Sequence, residues 1–191
     1  MKVGLFFGSF NPIHIGHLMI SSYLLQHSPL DELWLVLSPH NPHKERKTLA
    51  DDYLRLEMLQ AAVEEEPGLK ACAIEFDLPK PSYTVDTLAY LREEHPEHEF
   101  VLLMGGDNLR SLPKWKNYEQ ILAHHTIYVY KRPKVNLGEL ENHPSIHLFP
   151  EAPLVEISAT YIRRQVANGG SIRYWVPDAV REIIEKSGVY R

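Results

Sequence analysis

Short apolar runs alternate along this chain with longer stretches of helical period, and the alternation is regular enough to outline a fold. Residues 3–7 form a run of apolar and Gly positions closed by Gly8 and Ser9, which reads as a fully buried strand. Behind a polar turn, residues 18–26 read as a helix, with Pro12 placed to fit its first turn. Residues 33–37 repeat the strand pattern and pass into a proline-broken loop, 38–44. Asp51 or Asp52 can cap a helix running to about residue 65, whose buried stripe is Leu54, Met58, Leu59, Ala62 and Val63. The pattern then predicts a strand at 71–76, a helix at 84–94 and a strand at 99–104. Short helical pieces broken at Pro113 follow within 109–122, with strands at 126–130 and 146–149. Two closing helices are expected at 158–166 and 178–186, the first ended by Gly169 and Gly170.

Strands alternating with helices predict an α/β fold, a Rossmann-like doubly wound and mostly parallel sheet with helices on both faces. Loops 8–17, 38–44, 79–87, 105–108 and 131–133 all follow strands, so they gather along the carboxyl edge of that sheet. At 191 residues with no repeat or long linker, the chain is expected to form one domain, 1–191.

Composition narrows the function. A formal charge of −5 argues against general binding to nucleic acid or an anionic membrane surface, both of which need a broad basic face. Apolar runs of about five residues are too short for a membrane span or a signal-peptide core. One cysteine, Cys72, allows no intrachain disulfide and no cysteine-based zinc site, and a cytoplasmic protein is expected. Basic residues instead occur in knots: Lys44, Arg46 and Lys47; Lys131, Arg132 and Lys134; Arg163 and Arg164. Knots at element boundaries suit a small polyphosphate, although each alone also reads as solvated charge.

The chemistry concentrates in the turn Gly8-Ser9-Phe10-Asn11-Pro12-Ile13-His14-Ile15-Gly16-His17. A strand-to-helix turn offers an anion the positive end of a helix, and His14 and His17, three apart, share one face there. This turn resembles the Gly-x-Phe-x-Pro-x-His-x-Gly-His signature of nucleotidylyltransferases, above all adenylyltransferases. The resemblance implies that Gly8, Ser9, Phe10, His14 and His17 meet the nucleoside triphosphate, and that both histidines stabilise the transition state at the α-phosphorus without a covalent intermediate. Ser9 and Asn11 stand where that family more usually has Thr and Asp; both changes keep hydrogen bonding.

Residues 156–164 read by themselves as a capped helix start, with Ser158 or Thr160 as the cap. They also resemble the second family signature, Ile-Ser-x-Thr-x-Ile-Arg, which implies that Ile157, Ser158, Thr160 and Arg163 hold the β- and γ-phosphates and that helices 158–191 complete the ATP phosphate site. Arg164 reads as surface. Pro42-His43-Lys44 resembles a family loop that reaches toward phosphates; His40 with His43 could instead make a weak metal site.

Pro81-Ser82-Tyr83-Thr84-Val85-Asp86-Thr87-Leu88, with Gly105, Asp107 and Trp115, resembles the pyridine-nucleotide pocket of bacterial-type nicotinate-mononucleotide adenylyltransferases. A flat ring bearing a carboxylate suits an aromatic face such as Trp115 and donors such as Thr84. Packing of Trp115 in the core and capping by Thr84 are the alternatives from the residues alone. The resemblance implies transfer of AMP from ATP to nicotinate mononucleotide. Expected for ATP are Gly105 and Asp107 beside the two signatures; expected for the acceptor are Asn41, His43, Lys44, Tyr83, Thr84, Trp115 and Arg132; His14, His17, Lys44 and Arg163 supply catalytic charge. Mg²⁺ is expected to travel on the ATP phosphates, with no protein metal site. No nucleic-acid or membrane partner is expected, and a homo-oligomer is compatible with the sequence. Transfer to nicotinamide mononucleotide or phosphopantetheine, and a nucleotide sensor that binds without turnover, are the competing readings.

Overall fold

A computed structural model describes residues 1–39, 49–130, 136–153 and 156–191. Six strands form one sheet: β1 (Lys2–Gly8), β2 (Glu32–Leu37), β3 (Leu69–Cys72), β4 (Glu99–Gly105), β5 (Ile127–Tyr130) and β6 (Ile146–Phe149). Their order is β3-β2-β1-β4-β5-β6 and every pairing is parallel. That is the doubly wound order, with its switch point between β1 and β4.

Side chains alternate across the sheet with period two and so feed two cores. Leu33, Leu35 and Leu37 of β2, Val101 and Leu103 of β4, and Tyr128 and Tyr130 of β5 enter one. Val36, Phe100, Leu102, Met104, Ile127 and Val129 enter the other. The first core is covered by α1 (Ile15–His27), α2 (Asp52–Val63), α6 (Ala159–Ala167) and α7 (Asp178–Ser187), through residues such as Leu24, Met58, Ile162 and Ile184. The second is covered by α3 (Thr84–Glu94), α4 (Gly106–Ser111) and α5 (Tyr118–His124), through Leu88, Leu91, Leu109 and Ile121. Burial on both faces explains why the strands read as nearly unbroken apolar runs. No helix among the described residues is long and apolar enough to cross a membrane.

Three local expectations are corrected. The third strand occupies Leu69–Cys72, ahead of the expected 71–76, and Ile74–Phe76 is a 3₁₀ turn. Gly68, at φ +90, turns the chain early, and its carbonyl accepts from Leu33 N, which starts the β2 pairing sooner. Pro12 lies in a turn before the first helix, which starts at Ile15 with His14 as its N-cap. Gly106 to Asn108 are helical, in α4, and not a flexible loop.

Candidate active site

The site is built where β1 and β4 end side by side. Their register pairs Phe6 with Leu103, so Gly8 and Gly105 each stand two residues further on, at the mouth of the switch-point crevice. Neither position has room for a side chain. A Cβ on Gly8 would lie 2.8 Å from the Phe10 ring, and one on Gly105 would lie 2.7 Å from Asp107 Oδ1 and 3.1 Å from the Tyr130 ring. Both glycines therefore make way for side chains of their own chain.

Phe10 has φ +39, a region that costs a bulky residue of the order of 1–3 kcal/mol. Its ring is 2% exposed, with edge contacts to Phe6 (6.0 Å between centroids) and His17 (5.1 Å). Burying such a ring contributes about 1.5–3 kcal/mol, enough to offset the strain. Phe10 thus shapes the turn from beneath, and only its backbone is placed to meet a ligand.

His14 is buried and His17 half-buried, and their rings stack with centroids 3.6 Å apart and planes 22° apart. The pair stands at the N-terminus of α1, whose first turn carries no acidic residue. That partial positive charge is accordingly left for an external anion. The sequence expectation that the two imidazoles share one face holds.

The carboxyl-terminal helices close on the same turn. Ile15 N donates to Trp175 O (3.0 Å), and a Cβ on Gly16 would meet both the His14 ring and Ile157. Ser158 caps α6 by accepting from Tyr161 N (3.1 Å), which selects it over Thr160. Thr160 Oγ1 accepts from Arg163 (3.2 Å), and the same guanidinium donates to Asn11 O (2.8 Å), across 152 residues of sequence. Burial draws the Arg163 guanidinium below the usual arginine range, opposed by Tyr190 nearby. Arg164 is exposed, as expected.

The acceptor candidates sit on the other side of the crevice. Tyr83, exposed, is the N-cap residue of α3, and Thr84 opens that helix. Trp115 is half-buried against the second core, so it packs there and is still partly open to solvent. The next residue joins the segments: Lys116 Nζ lies 4.5 Å above the Tyr83 ring and 2.7 Å from Asp86 Oδ2. Asp107 is exposed in the first turn of α4, two residues after Gly105. Asn41, His43, Lys44 and Arg132 lie outside the described residues, as does His40.

Two residues without a role in the sequence analysis, Arg55 and Lys116, organise the site together with Asn11 of the signature turn. Arg55 is fully buried and donates to Ser9 O, Ser38 O (3.0 Å), Pro39 O (2.9 Å), Ala50 O (3.1 Å) and Asp52. It ties the ends of β1 and β2 to α2. Its signal was present, because a charged residue occupies the apolar stripe three and four positions before Met58 and Leu59. Asn11 Oδ1 accepts from both Ala50 N (3.1 Å) and Tyr190 Oη (2.6 Å), making Asn11 the point where the turn, α2 and the C-terminal segment meet. Burial pushes the Tyr190 hydroxyl far above the ordinary tyrosine range, so it stays a neutral donor. Lys116 is the third, and its partners were not visible from local pattern.

Comparison with known proteins agrees with this geometry. Residues 5–165 match the cytidylyltransferase-like family model. A protein of Flavobacterium psychrophilum described as a probable nicotinate-nucleotide adenylyltransferase is 50% identical, with 100% of each chain covered. One of the same description from Cytophaga hutchinsonii is 51% identical over 96% of this chain and 95% of its own. The nicotinic acid mononucleotide adenylyltransferase of Plasmodium falciparum, solved in complex with NaAD, superposes with a TM-score of 0.83 at 19% identity, covering 99% of this chain and 97% of that one. By its fold, its crevice and these full-length identities, the chain belongs to the cytidylyltransferase-like family and, within it, to the nicotinate-nucleotide adenylyltransferases.

Proposed function

We propose that this chain transfers AMP from ATP to nicotinate mononucleotide, releasing pyrophosphate and forming nicotinate adenine dinucleotide for NAD synthesis. The observation that carries the reading is the convergence on one turn of the stacked His14–His17 pair and Arg163, which is held to Asn11 from the far end of the chain. A phosphate monoester of the acceptor attacks the α-phosphorus directly, so no protein base is needed, and rate comes from alignment and charge stabilisation. His14 and His17, at the positive end of α1, face the charge that builds on the α- and β-phosphate oxygens. Arg163, with Thr160 and the Ser158-capped start of α6, holds the distal phosphates. Tyr83, Thr84 and Trp115 hold the pyridine ring and its carboxylate, and Asp107 accepts from ribose hydroxyls. Asn41, His43, Lys44 and Arg132 enter this assignment on sequence resemblance alone.

Mg²⁺ fits this site as a passenger on ATP. The side chains assembled here are imidazoles and a guanidinium, suited to phosphate oxygens, and among the described residues no group of three metal-binding side chains lies at this edge. The ion would be held by phosphate oxygens and water, neutralising charge on the triphosphate. The sequence has one cysteine, Cys72, which leaves no intrachain disulfide to form, and we place the reaction in the cytoplasm.

The test is pyrophosphate release from ATP with nicotinate mononucleotide, nicotinamide mononucleotide and phosphopantetheine supplied in turn. Release is expected to be fastest with the first. Ligand-dependent melting with no release from any acceptor would replace the enzyme by a sensor, and faster release with another acceptor would overturn the pocket assignment. His14→Ala and His17→Ala should each lower turnover by two to three decades, about 2.7–4 kcal/mol, while ATP binding changes far less.

A further inference from the structure

Four residues joining α3 to β4, His95-Pro96-Glu97-His98, lie at the opposite edge of the sheet from the reaction site. They form a closed turn: His98 N donates to His95 O (3.0 Å), and Pro96 occupies the second position, where its fixed φ suits a β-turn. Such a turn brings its first and fourth side chains together. The two imidazoles stack with centroids 5.3 Å apart and planes 6° apart. Both present Nδ1 to one carboxylate oxygen, Glu97 Oε1, at 3.9 Å from His95 and 3.2 Å from His98. Taking one ligand atom from each residue, the three lie within 4.8 Å of one another.

Two further features separate this cluster from an ordinary surface ion pair. His98 Nδ1 is shielded from solvent yet makes no hydrogen bond among the described residues, although a carboxylate oxygen lies within reach; the angle is wrong for a shared proton. A shielded ring nitrogen without a hydrogen-bond partner, with a carboxylate oxygen 3.2 Å away, leaves room for a cation to join the two. The rings are also buttressed. Trp34 meets the edges of His95 (5.6 Å) and His98 (6.2 Å), and Phe100 supports both at 6.4 and 6.0 Å. Trp34 in turn donates its indole N–H to Glu32 Oε2 (2.8 Å), and Lys70 donates to the other oxygen of that carboxylate, Oε1.

We infer that His95, Glu97 and His98 form a binding site for a divalent transition ion of the zinc class, distinct from the Mg²⁺ carried by ATP. Two imidazole nitrogens and one carboxylate match zinc in number and type, leaving a fourth position for water. Tetrahedral zinc needs its donors about 3.3 Å apart, given Zn–N near 2.0–2.1 Å. The Glu97–His98 pair is already at that spacing, and the remaining contraction falls on His95 and Glu97, whose side chains are 41% and 61% exposed. The seven residues of β4 separate this turn from Gly105 by about 20 Å, so the ion would clip α3 to the sheet and take no part in phosphoryl chemistry.

The experiment is competition between a chromophoric chelator and the tag-free chain for Zn²⁺ at pH 7.5, with Mg²⁺ as the control ion. An untagged amino terminus is needed because the Met1 ammonium donates to Glu97 O. Expected is a saturable equivalent for Zn²⁺ and none for Mg²⁺, a zinc-dependent rise in melting temperature, and Zn²⁺ affinity at least about tenfold weaker in His95→Gln, with one equivalent lost in H95Q/H98Q. Pyrophosphate release should match wild type in His95→Gln, which also shows that the variant is folded. An unchanged zinc stoichiometry and affinity in the double variant, or no saturable equivalent in wild type up to millimolar Zn²⁺, would overturn the inference. If the double variant fails to fold, the exposed His95→Gln decides alone: equal affinity to wild type refutes it.

Discussion

Replacing Arg55 by Met would remove one buried cation and keep most of its volume, and the consequences can be worked contact by contact. The guanidinium serves the carbonyls of Ser9, Ser38, Pro39 and Ala50 and the carboxylate of Asp52. Methionine donates to none of them. Asp52 is 31% exposed and can rehydrate, so its loss is small. The carbonyls lie against a side chain with no exposure, and each buried acceptor left unmade costs about 1–3 kcal/mol. Relief from holding a charge out of water offsets part of that sum, and a net loss of about 3–5 kcal/mol is expected, as when one side of a buried ion pair is removed. For a domain of this size each kcal/mol shifts the melting temperature by about 2–4 °C, so a fall of roughly 6–20 °C follows. Turnover should fall as well, because Ser9 directly precedes Phe10 in the turn that carries His14 and His17, and an ångström of misplacement costs about a hundredfold. Thermal melting and pyrophosphate release, both taken well below the new transition, measure the two effects on one preparation. Arg55→Lys keeps the charge and one or two of the bonds and should fall between. If Arg55→Met melts within about 2 °C of wild type and turns over normally, Arg55 does not organise the site.

Other outcomes test separate parts of the argument. Arg163→Lys should impair pyrophosphate release, because a point charge cannot reach Asn11, Thr160 and a phosphate with the planar fork of arginine, while Arg164→Lys should be nearly silent; equal defects would show the segment to be misassigned. Trp115→Ala should raise the Michaelis constant for nicotinate mononucleotide by about tenfold or more, from a stacking contact worth about 1–3 kcal/mol, and leave that for ATP comparatively unchanged. A large fall in melting temperature with acceptor affinity intact would assign Trp115 to packing alone. His125 is held below the usual histidine range by burial, opposed by its hydrogen bond to Phe100 O (3.1 Å). Because the folded value is the lower one, its contribution to stability is present above about pH 6.5 and is lost as pH falls through the folded value. Melting temperatures between pH 7.5 and 5 should therefore decline less steeply in His125→Gln than in wild type, and parallel profiles would exclude this residue as a source of the decline.

Much of the architecture is legible in contiguous residues because its physical causes are local. Strands buried on both faces must be apolar throughout, and residues 33–37 and 100–104 show it. The helix Thr84–Glu94 has its expected bounds, between a proline-rich loop and the turn at Pro96. The signature turn carries its own chemistry: two imidazoles three residues apart at a helix start share a face wherever that helix lies. Boundaries that depend on neighbours were less legible. The third strand begins at Leu69 because β2 lies beside it and Gly68 turns the chain there, and no propensity of residues 71–76 could report that.

The links that make the turn into a site are of a different kind. Asn11 is joined to Ala50, Arg163 and Tyr190, at separations of 39, 152 and 179 residues, and Arg55 reaches Ser9 across 46. Local hydrophobic period records which face of an element is buried; it carries no record of which distant carbonyl a buried donor will find. That choice is made only when the sheet has brought the ends of β1, β2 and β4 together and the C-terminal helices have closed over them. Phe10 shows the same division. Its place in the signature was plain from the sequence, but its left-handed backbone and buried ring, which bend the turn under His17, arise from packing against Phe6.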